Sequence, residues 1–227
     1  MNGINVTTRE LPAHLAGWQL PNDWSWGSTG VTGEYRHAQE VVDALGRSLA
    51  LVTAPNPDHY AWLGEEGTRP FAEWQMTYSL RRAGLPVPAP IAARYHRRGL
   101  TYTGEIITER LATVGSLAEC LRTGALSILT WIGIGRCIRR FHDFGVCHAD
   151  LNAHNILLAE DQVYLIDFDR CQLRGGGLWR DANLVRLRRS LEKIAWGLPP
   201  ERFGEADWHG LLDGYRQAPA GAEPPPA

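Results

Sequence analysis

Lysine is nearly absent from this 227-residue chain: against 22 arginines there is one lysine, Lys193. A phosphate-binding loop of the Gly-Lys-Ser/Thr type has no residue to build it in the first half of the sequence, and a Schiff-base lysine could only be Lys193. Four cysteines (Cys120, Cys137, Cys147, Cys171) form no CxxC pair and no zinc-spaced cluster with histidine, so buried, reduced thiols are expected. The N-terminus lacks a basic-then-apolar export pattern. The longest apolar run, around Leu126–Gly135, is about half of the ~20 residues a spanning helix needs, so no transmembrane segment is expected.

What is present describes a folded chain. Hydrophobic residues make up 44% and charged residues 21%, with a net charge of −2. The charge is uneven. Residues 1–75 hold four basic and nine acidic side chains, whereas 170–193 holds seven basic (Arg170, Arg174, Arg180, Arg186, Arg188, Arg189, Lys193) against Asp181 and Glu192. That local excess suits an anionic substrate, an anionic membrane surface or an ordinary solvated helix face. Nothing in this balance calls for a nucleic-acid partner.

Periodicity and turn residues give the organisation. A short helix is expected over 34–45, closed by Gly46. Strands are expected over 48–54 and 59–63, paired through the Pro55–Asp58 turn. A helix follows from Pro70 to Ala83, stopped by Gly84. Pro86, Pro88 and Pro90 enforce an extended entry to strands near 91–95 and 102–109. Further helices are expected over 117–121, over 128–144 (with Leu129, Ile132, Cys137 and Phe141 inward) and over 181–194 (with Leu184, Leu187, Leu191 and Ile194 on one stripe). Short strands are expected at 156–158 and 163–166. Trp74, Trp131 and Trp196 read as core, Trp24, Trp26 and Trp179 as surface or membrane-interface residues, and His142 as a packing residue. The fold class is α+β in two lobes: residues 1–111 as a reduced N-lobe of sheet plus helix, 112–217 as a mainly helical C-lobe, and 218–227 as a disordered tail.

The chemistry is concentrated in one stretch. His148-Ala-Asp150-Leu-Asn152-Ala-His154-Asn155 lies between a long helix and an apolar strand, and a second apolar strand ends in Asp167-Phe168-Asp169. This resembles the protein-kinase pattern His-x-Asp-x-x-x-x-Asn followed by Asp-Phe-Gly. Phosphoryl transfer needs a carboxylate to orient and deprotonate the attacking hydroxyl and oxygen ligands to hold Mg²⁺ on the ATP phosphates. The resemblance assigns Asp150 as base and Asn155 and Asp167 as metal ligands, with His148 as buttress and Asn152, His154 and Asp169 in support.

A narrower resemblance is to the bacterial 3-deoxy-D-manno-octulosonic acid (Kdo) kinases. It rests on the Asp150-Leu-Asn152-x-His154-Asn155 loop and on Asp167-Phe-Asp-Arg170. It also rests on Thr68-Arg-Pro-Phe-Ala-Glu-Trp74, on Gly84-Leu-Pro-Val-Pro88, on Thr108-Glu-Arg-Leu111 and on the segment from Trp179 to Lys193. It covers residues 46–196; residues 1–45 match no piece of it. It implies a two-lobed protein-kinase-like fold and ATP-dependent phosphorylation of the 4-hydroxyl of a Kdo residue on a lipid A precursor, in lipopolysaccharide core synthesis. It also implies peripheral attachment to the anionic cytoplasmic face of the inner membrane. Glu73 then takes the place of the helix glutamate that pairs with the phosphate-binding cation, and Glu109 and Leu111 flank the hinge that meets adenine. Arg170, Arg186, Arg188 and Arg189 become candidate contacts for the acceptor or the membrane.

The sequence departs from the family in one place. Where the family carries a basic run after the third strand, this chain reads Ala61-Trp-Leu-Gly-Glu-Glu-Gly67. Three outcomes fit that loss: Arg47 or Arg69 substitutes, Mg²⁺ carries most of the neutralisation in a slow enzyme, or the chain is a silent kinase-fold binding protein. A kinase on another small alcohol, of the aminoglycoside type, is a further alternative.

Overall fold

The computed structural model describes residues 39–42, 48–53, 60–61 and 68–217. The expected Pro55–Asp58 turn, the Gly64–Gly67 loop, Trp24, Trp26, Arg47 and the 218–227 tail lie outside these residues. The chain divides into two compact units, Met1–Arg82 with Pro88–Leu111, and Ala83–Val87 with Ala112–Ala227.

The first unit is an antiparallel sheet with a helix. Its strands are β1 (Gln39–Val42), β2 (Ser48–Thr53), β3 (Tyr60–Ala61), β4 (Pro90–Arg98) and β5 (Thr101–Glu109), and its helix is α1 (Arg69–Arg82). β5 is the organising strand. It pairs with β4 over Thr101–Thr108, with β2 over Glu105–Glu109 and with β3 at Thr101 and Tyr102. Two expectations are corrected here. Gln39–Val42 is a strand, not part of a helix, because it is annealed to β2 in the register Gln39↔Leu51 to Val42↔Ser48, and Val41 and Val42 suit an extended backbone. Within the expected 59–63 strand, the described residues Tyr60 and Ala61 pair with β5, which also takes the place beside β2. Helix α1 lies on β4 and β5. A methyl at Gly104 would collide with the Pro70 ring, so this glycine is what lets the helix start so close to the sheet. The Arg69 N–H donates to the Tyr102 hydroxyl at 2.8 Å, satisfying a first-turn donor that has no partner inside the helix.

The second unit is built from α2 (Leu117–Thr123), α3 (Ile128–Asp143), α4 (Trp179–Ala195) and α5 (Glu205–Gln217) around short strands β6 (Gly115–Ser116), β7 (Val146–Cys147), β8 (Ile156–Leu158), β9 (Val163–Leu165) and β10 (Gln172–Leu173). Helix α2 opens on a capping box: Ser116 Oγ accepts from the Glu119 N–H, and the Glu119 carboxylate accepts from the Ser116 N–H at 2.7 Å. Those bonds hold the Glu119 carboxyl below its usual range.

Helix α3 buries Trp131, Ile134, Cys137, Ile138, Phe141 and His142. Of the four residues expected at helical spacing, Cys137 and Phe141 are buried and Leu129 is exposed. Its main partner is α5, a helix that the sequence pattern does not announce. Gly135 of α3 sits against the backbone of Leu211 and Tyr215, and Gly214 of α5 against that of Ile132; a Cβ at either position would overlap a carbonyl oxygen. Such contact leaves no room for a side chain at either position.

Trp131 is fully buried and Trp74 half-buried, but Trp196, expected in the core, is 94% exposed. It stands one residue past α4, on the face opposite Leu184, Leu187 and Leu191. The four cysteines are free thiols, and only Cys137 is buried, where desolvation pushes its pKa up to about 12.

Candidate functional site

The loop from His148 to Asn155 connects β7 to β8, and the β8–β9 hairpin returns the chain to Asp167. Its shape is set by hydrogen bonds at nearly every residue. His148 is buried, with its Nε2–H donating to the Ile166 carbonyl at 3.0 Å and its Nδ1 accepting from the Asp150 N–H at 3.2 Å. These two partners fix one neutral tautomer. Burial, the main influence, lowers the pKa and keeps the ring uncharged. Histidine here is a splint between the Asp150 backbone and the strand end that delivers Asp167. Phe168, buried behind the loop, packs on both His148 and Phe141.

Asn152 folds the loop over itself. Its Oδ1 accepts from the N–H groups of His154 and Asn155 at 2.7 and 3.2 Å, and its Nδ2 donates to the Asp150 carboxylate at 2.8 Å. Asn155 is buried and ties the two acidic positions together. Its Nδ2 donates to the Asp150 carbonyl at 2.9 Å and reaches Asp167 Oδ2 at 3.5 Å, while its N-terminal neighbour His154 is exposed. The Asn155 carbonyl accepts from the Ile166 N–H at 3.1 Å. Asp167 adopts φ +64°, a left-handed backbone that costs a non-glycine residue about 1–3 kcal/mol. Asp150, Asn155 and Asp167 are thus brought together, with both carboxylates toward solvent. Asp169 is half-buried and pairs with Arg170 at 3.6 Å.

Helix α4 supports the loop from behind. The Asn183 side chain is buried and accepts from the His148 N–H while donating to its carbonyl. Ser190 Oγ accepts from the Ala153 N–H at 3.2 Å. Sequence reasoning placed both residues in the segment from Trp179 to Lys193 that carries the resemblance, but gave neither a role. The available signal for Asn183 was a polar side chain bordering the Leu184, Leu187 and Leu191 stripe.

Of the four basic candidates, Arg186 alone approaches the Asp150 carboxylate: its Nη1 is 3.8 Å from Asp150 Oδ1. Arg170 and Arg189 are exposed. Arg188 is committed elsewhere, held by Glu192 and Glu205 and lying over the Trp208 ring at 5.5 Å, which removes it as a free contact. The remaining candidates belong to the first unit. Glu73 is half-buried in mid-α1. Glu109 closes β5, its N–H donating to the Ala89 carbonyl at 2.8 Å and its carboxylate 4.0 Å from Arg81. Leu111, two residues on, has neither backbone group hydrogen-bonded among the described residues. His142 is a packing residue, as expected: buried, edge-on to Trp179 and Tyr215, and hydrogen-bonded to the Tyr215 hydroxyl at 2.8 Å.

The model of the lipopolysaccharide kinase (Kdo/WaaP) family matches residues 29–215. The chain belongs to this family. Among curated relatives named 3-deoxy-D-manno-octulosonic acid kinase, that of Haemophilus influenzae (strain 86-028NP) is 44% identical over 168 residues, covering 71% of this chain and 69% of its own. That of Actinobacillus succinogenes is 42% identical over 166 residues with the same coverage. That of Xylella fastidiosa (strain M23) is 49% identical over 150 residues, covering 65% and 60%. Among solved structures, a WaaP determined in complex with acyl carrier protein superposes with a TM-score of 0.56 at 21% identity, covering 91% of this chain and 82% of its own. The fold is therefore kinase-like and α+β. Membership makes the chain a phosphotransferase with an alcohol acceptor and ATP as the phosphate donor.

Proposed function

We propose that this enzyme phosphorylates the 4-hydroxyl of a Kdo residue on a lipid A precursor, at the cytoplasmic face of the inner membrane. The observation that carries the chemistry is the Asn155 side chain between Asp150 and Asp167. One amide fixes the distance between the residue assigned as base and a residue assigned as metal ligand. The identity of the acceptor is supported by the curated Kdo kinase relatives, which match over most of this chain.

In this reading the Asp150 carboxylate, steadied by Asn152 Nδ2, accepts the proton of the acceptor hydroxyl and aims its oxygen at the γ-phosphorus of ATP. Arg186 is placed to meet an acid group of the acceptor. Leu111 offers an unused backbone N–H and C=O to adenine, Glu109 stands beside it, and Glu73 is the residue that would hold a phosphate-facing cation.

Mg²⁺ fits the donor set. The Asn155 Oδ1 accepts no hydrogen bond among the described residues, and the Asp167 carboxylate is exposed. Oxygen ligands are what Mg²⁺ prefers, commonly one or two from protein with the rest from phosphates and water. When bound, the ion supplies neutralisation of the phosphate charge; the protein residues supply position and the proton acceptor.

The test is ATP–Mg²⁺ turnover on a Kdo–lipid A precursor, with Asp150→Ala as control. The expected result is phosphate transfer that falls about 10²–10⁴-fold in the variant while nucleotide affinity is kept. Nucleotide binding by the wild type without transfer to this acceptor overturns the reading.

A further inference from the structure

Helix α4 has two faces, and only the inner one is accounted for. Leu184, Leu187 and Leu191 are buried. On the opposite side Leu178 is 84% exposed, Val185 49% and Trp196 94%. Leu178 and Trp196 flank the helix but keep right-handed helical dihedrals, so the α4 register extends through both. Their spacings, seven residues and then eleven, are close to whole numbers of turns at 3.6 residues each. The three side chains therefore form one straight ridge about 27 Å long at 1.5 Å per residue. Arg189 lies on the same line, and Arg186 and Lys193 flank it. The Arg189 and Lys193 side chains make no hydrogen bond or ion pair among the described residues. The acids nearest the ridge are Asp181 and Glu192, and Glu192 is already bound to Arg188.

We propose that this ridge is the surface by which the enzyme rests on an anionic bilayer. It deepens the peripheral placement proposed above by naming the elements that touch lipid. Two observations favour lipid over a protein partner. A large aromatic, Trp196, stands at one end of the ridge, as suits the headgroup boundary. The partnerless charges along the ridge, Arg189 and Lys193 against Asp181, leave a net positive charge, which repels a second copy packed face to face and which anionic headgroups neutralise. The placement also serves the reaction. Arg186, on the flank of the ridge, is the residue that reaches Asp150. A helix lying in the headgroup layer thus holds the catalytic carboxylate near the depth at which the sugar of a lipid-borne acceptor sits.

The test uses the full chain and vesicles of phosphatidylethanolamine with or without phosphatidylglycerol, containing no acceptor. Sedimentation is expected to show binding to the anionic vesicles, release by high salt, and at least about a tenfold loss of affinity in Leu178→Asn/Trp196→Gln. Both substituted side chains are exposed, so the fold is left intact, and turnover on a water-soluble Kdo acceptor is expected to match wild type. On vesicle-borne acceptor the apparent KM is expected to rise by a similar factor. Equal retention of variant and wild type overturns the proposal. So does a wild type that ignores anionic vesicles, or one that is dimeric in light scattering and becomes monomeric in the variant. Vesicle binding without any transfer to Kdo would instead sink the acceptor reading and leave the ridge standing.

Discussion

Asn183 grips His148 by both of its backbone groups, accepting from the N–H at 3.1 Å and donating to the carbonyl at 3.0 Å. A side chain on α4 thereby fixes where the polar loop begins, two residues before Asp150. Asn183→Ala leaves two buried backbone groups unpaired, at a cost of about 2–4 kcal/mol in urea unfolding. Asn183→Asp restores only the acceptor and should recover part of that loss. In both variants kcat is expected to fall more than the KM for ATP changes, since the loop, not the nucleotide contacts, is displaced.

The seam between α3 and α5 predicts opposite outcomes for neighbouring glycines. Gly135→Ala or Gly214→Ala places a methyl onto main chain and should destabilise by about 3 kcal/mol. Gly133, two residues away, has open space around its Cβ direction, and Gly133→Ala should stabilise by about 0.5–1 kcal/mol. Thermal melts of the three variants check the pattern; a Gly135→Ala protein as stable as wild type contradicts the packing.

Stability should fall on mild acidification. Burial lowers the pKa of His142 to about 4, with Arg180 adding to the lowering and Asp143 opposing it. The unfolded chain takes up a proton near pH 6.5 and the folded chain only near 4, so unfolding is favoured as pH drops through that interval. The linkage amounts to about 3 kcal/mol by pH 4. His148 is shifted in the same direction. Urea midpoints between about pH 7 and 4.5 measure the slope, and His142→Gln should flatten it.

The α2 cap predicts a smaller effect. Ser116→Ala removes the acceptor for the Glu119 N–H and should cost about 1 kcal/mol. Because the Ala118 N–H donates to the Ala153 carbonyl, a frayed first turn also loosens the catalytic loop. A drop in kcat accompanying the loss of stability, read from turnover and melting on the same preparation, checks that link.

The polar loop is legible in the sequence because its residues are clustered between apolar runs, and its own turn is made by local bonds: Asn152 to His154, Asp150 to Asn155. The helices α1, α3 and α4 are legible from their spacing for the same reason. What fails depends on distant partners. Gln39–Val42 looks helical alone and is a strand only because β2 is beside it. Helix α5 is hidden by Gly210 and Gly214, which weaken a helix in isolation and are present because α3 comes close enough to need them. Hydrophobicity alone puts Trp196 in the core; its position on the turn, opposite the leucine stripe, decides otherwise.

With Asp167 in its proposed place as a metal ligand, its left-handed backbone sets stability and phosphate transfer against each other at one position. Glycine there would relax the strain and remove the carboxylate in the same step. A library screened only for heat resistance should therefore enrich Asp167→Gly, and the survivors should be sturdier proteins that no longer transfer phosphate.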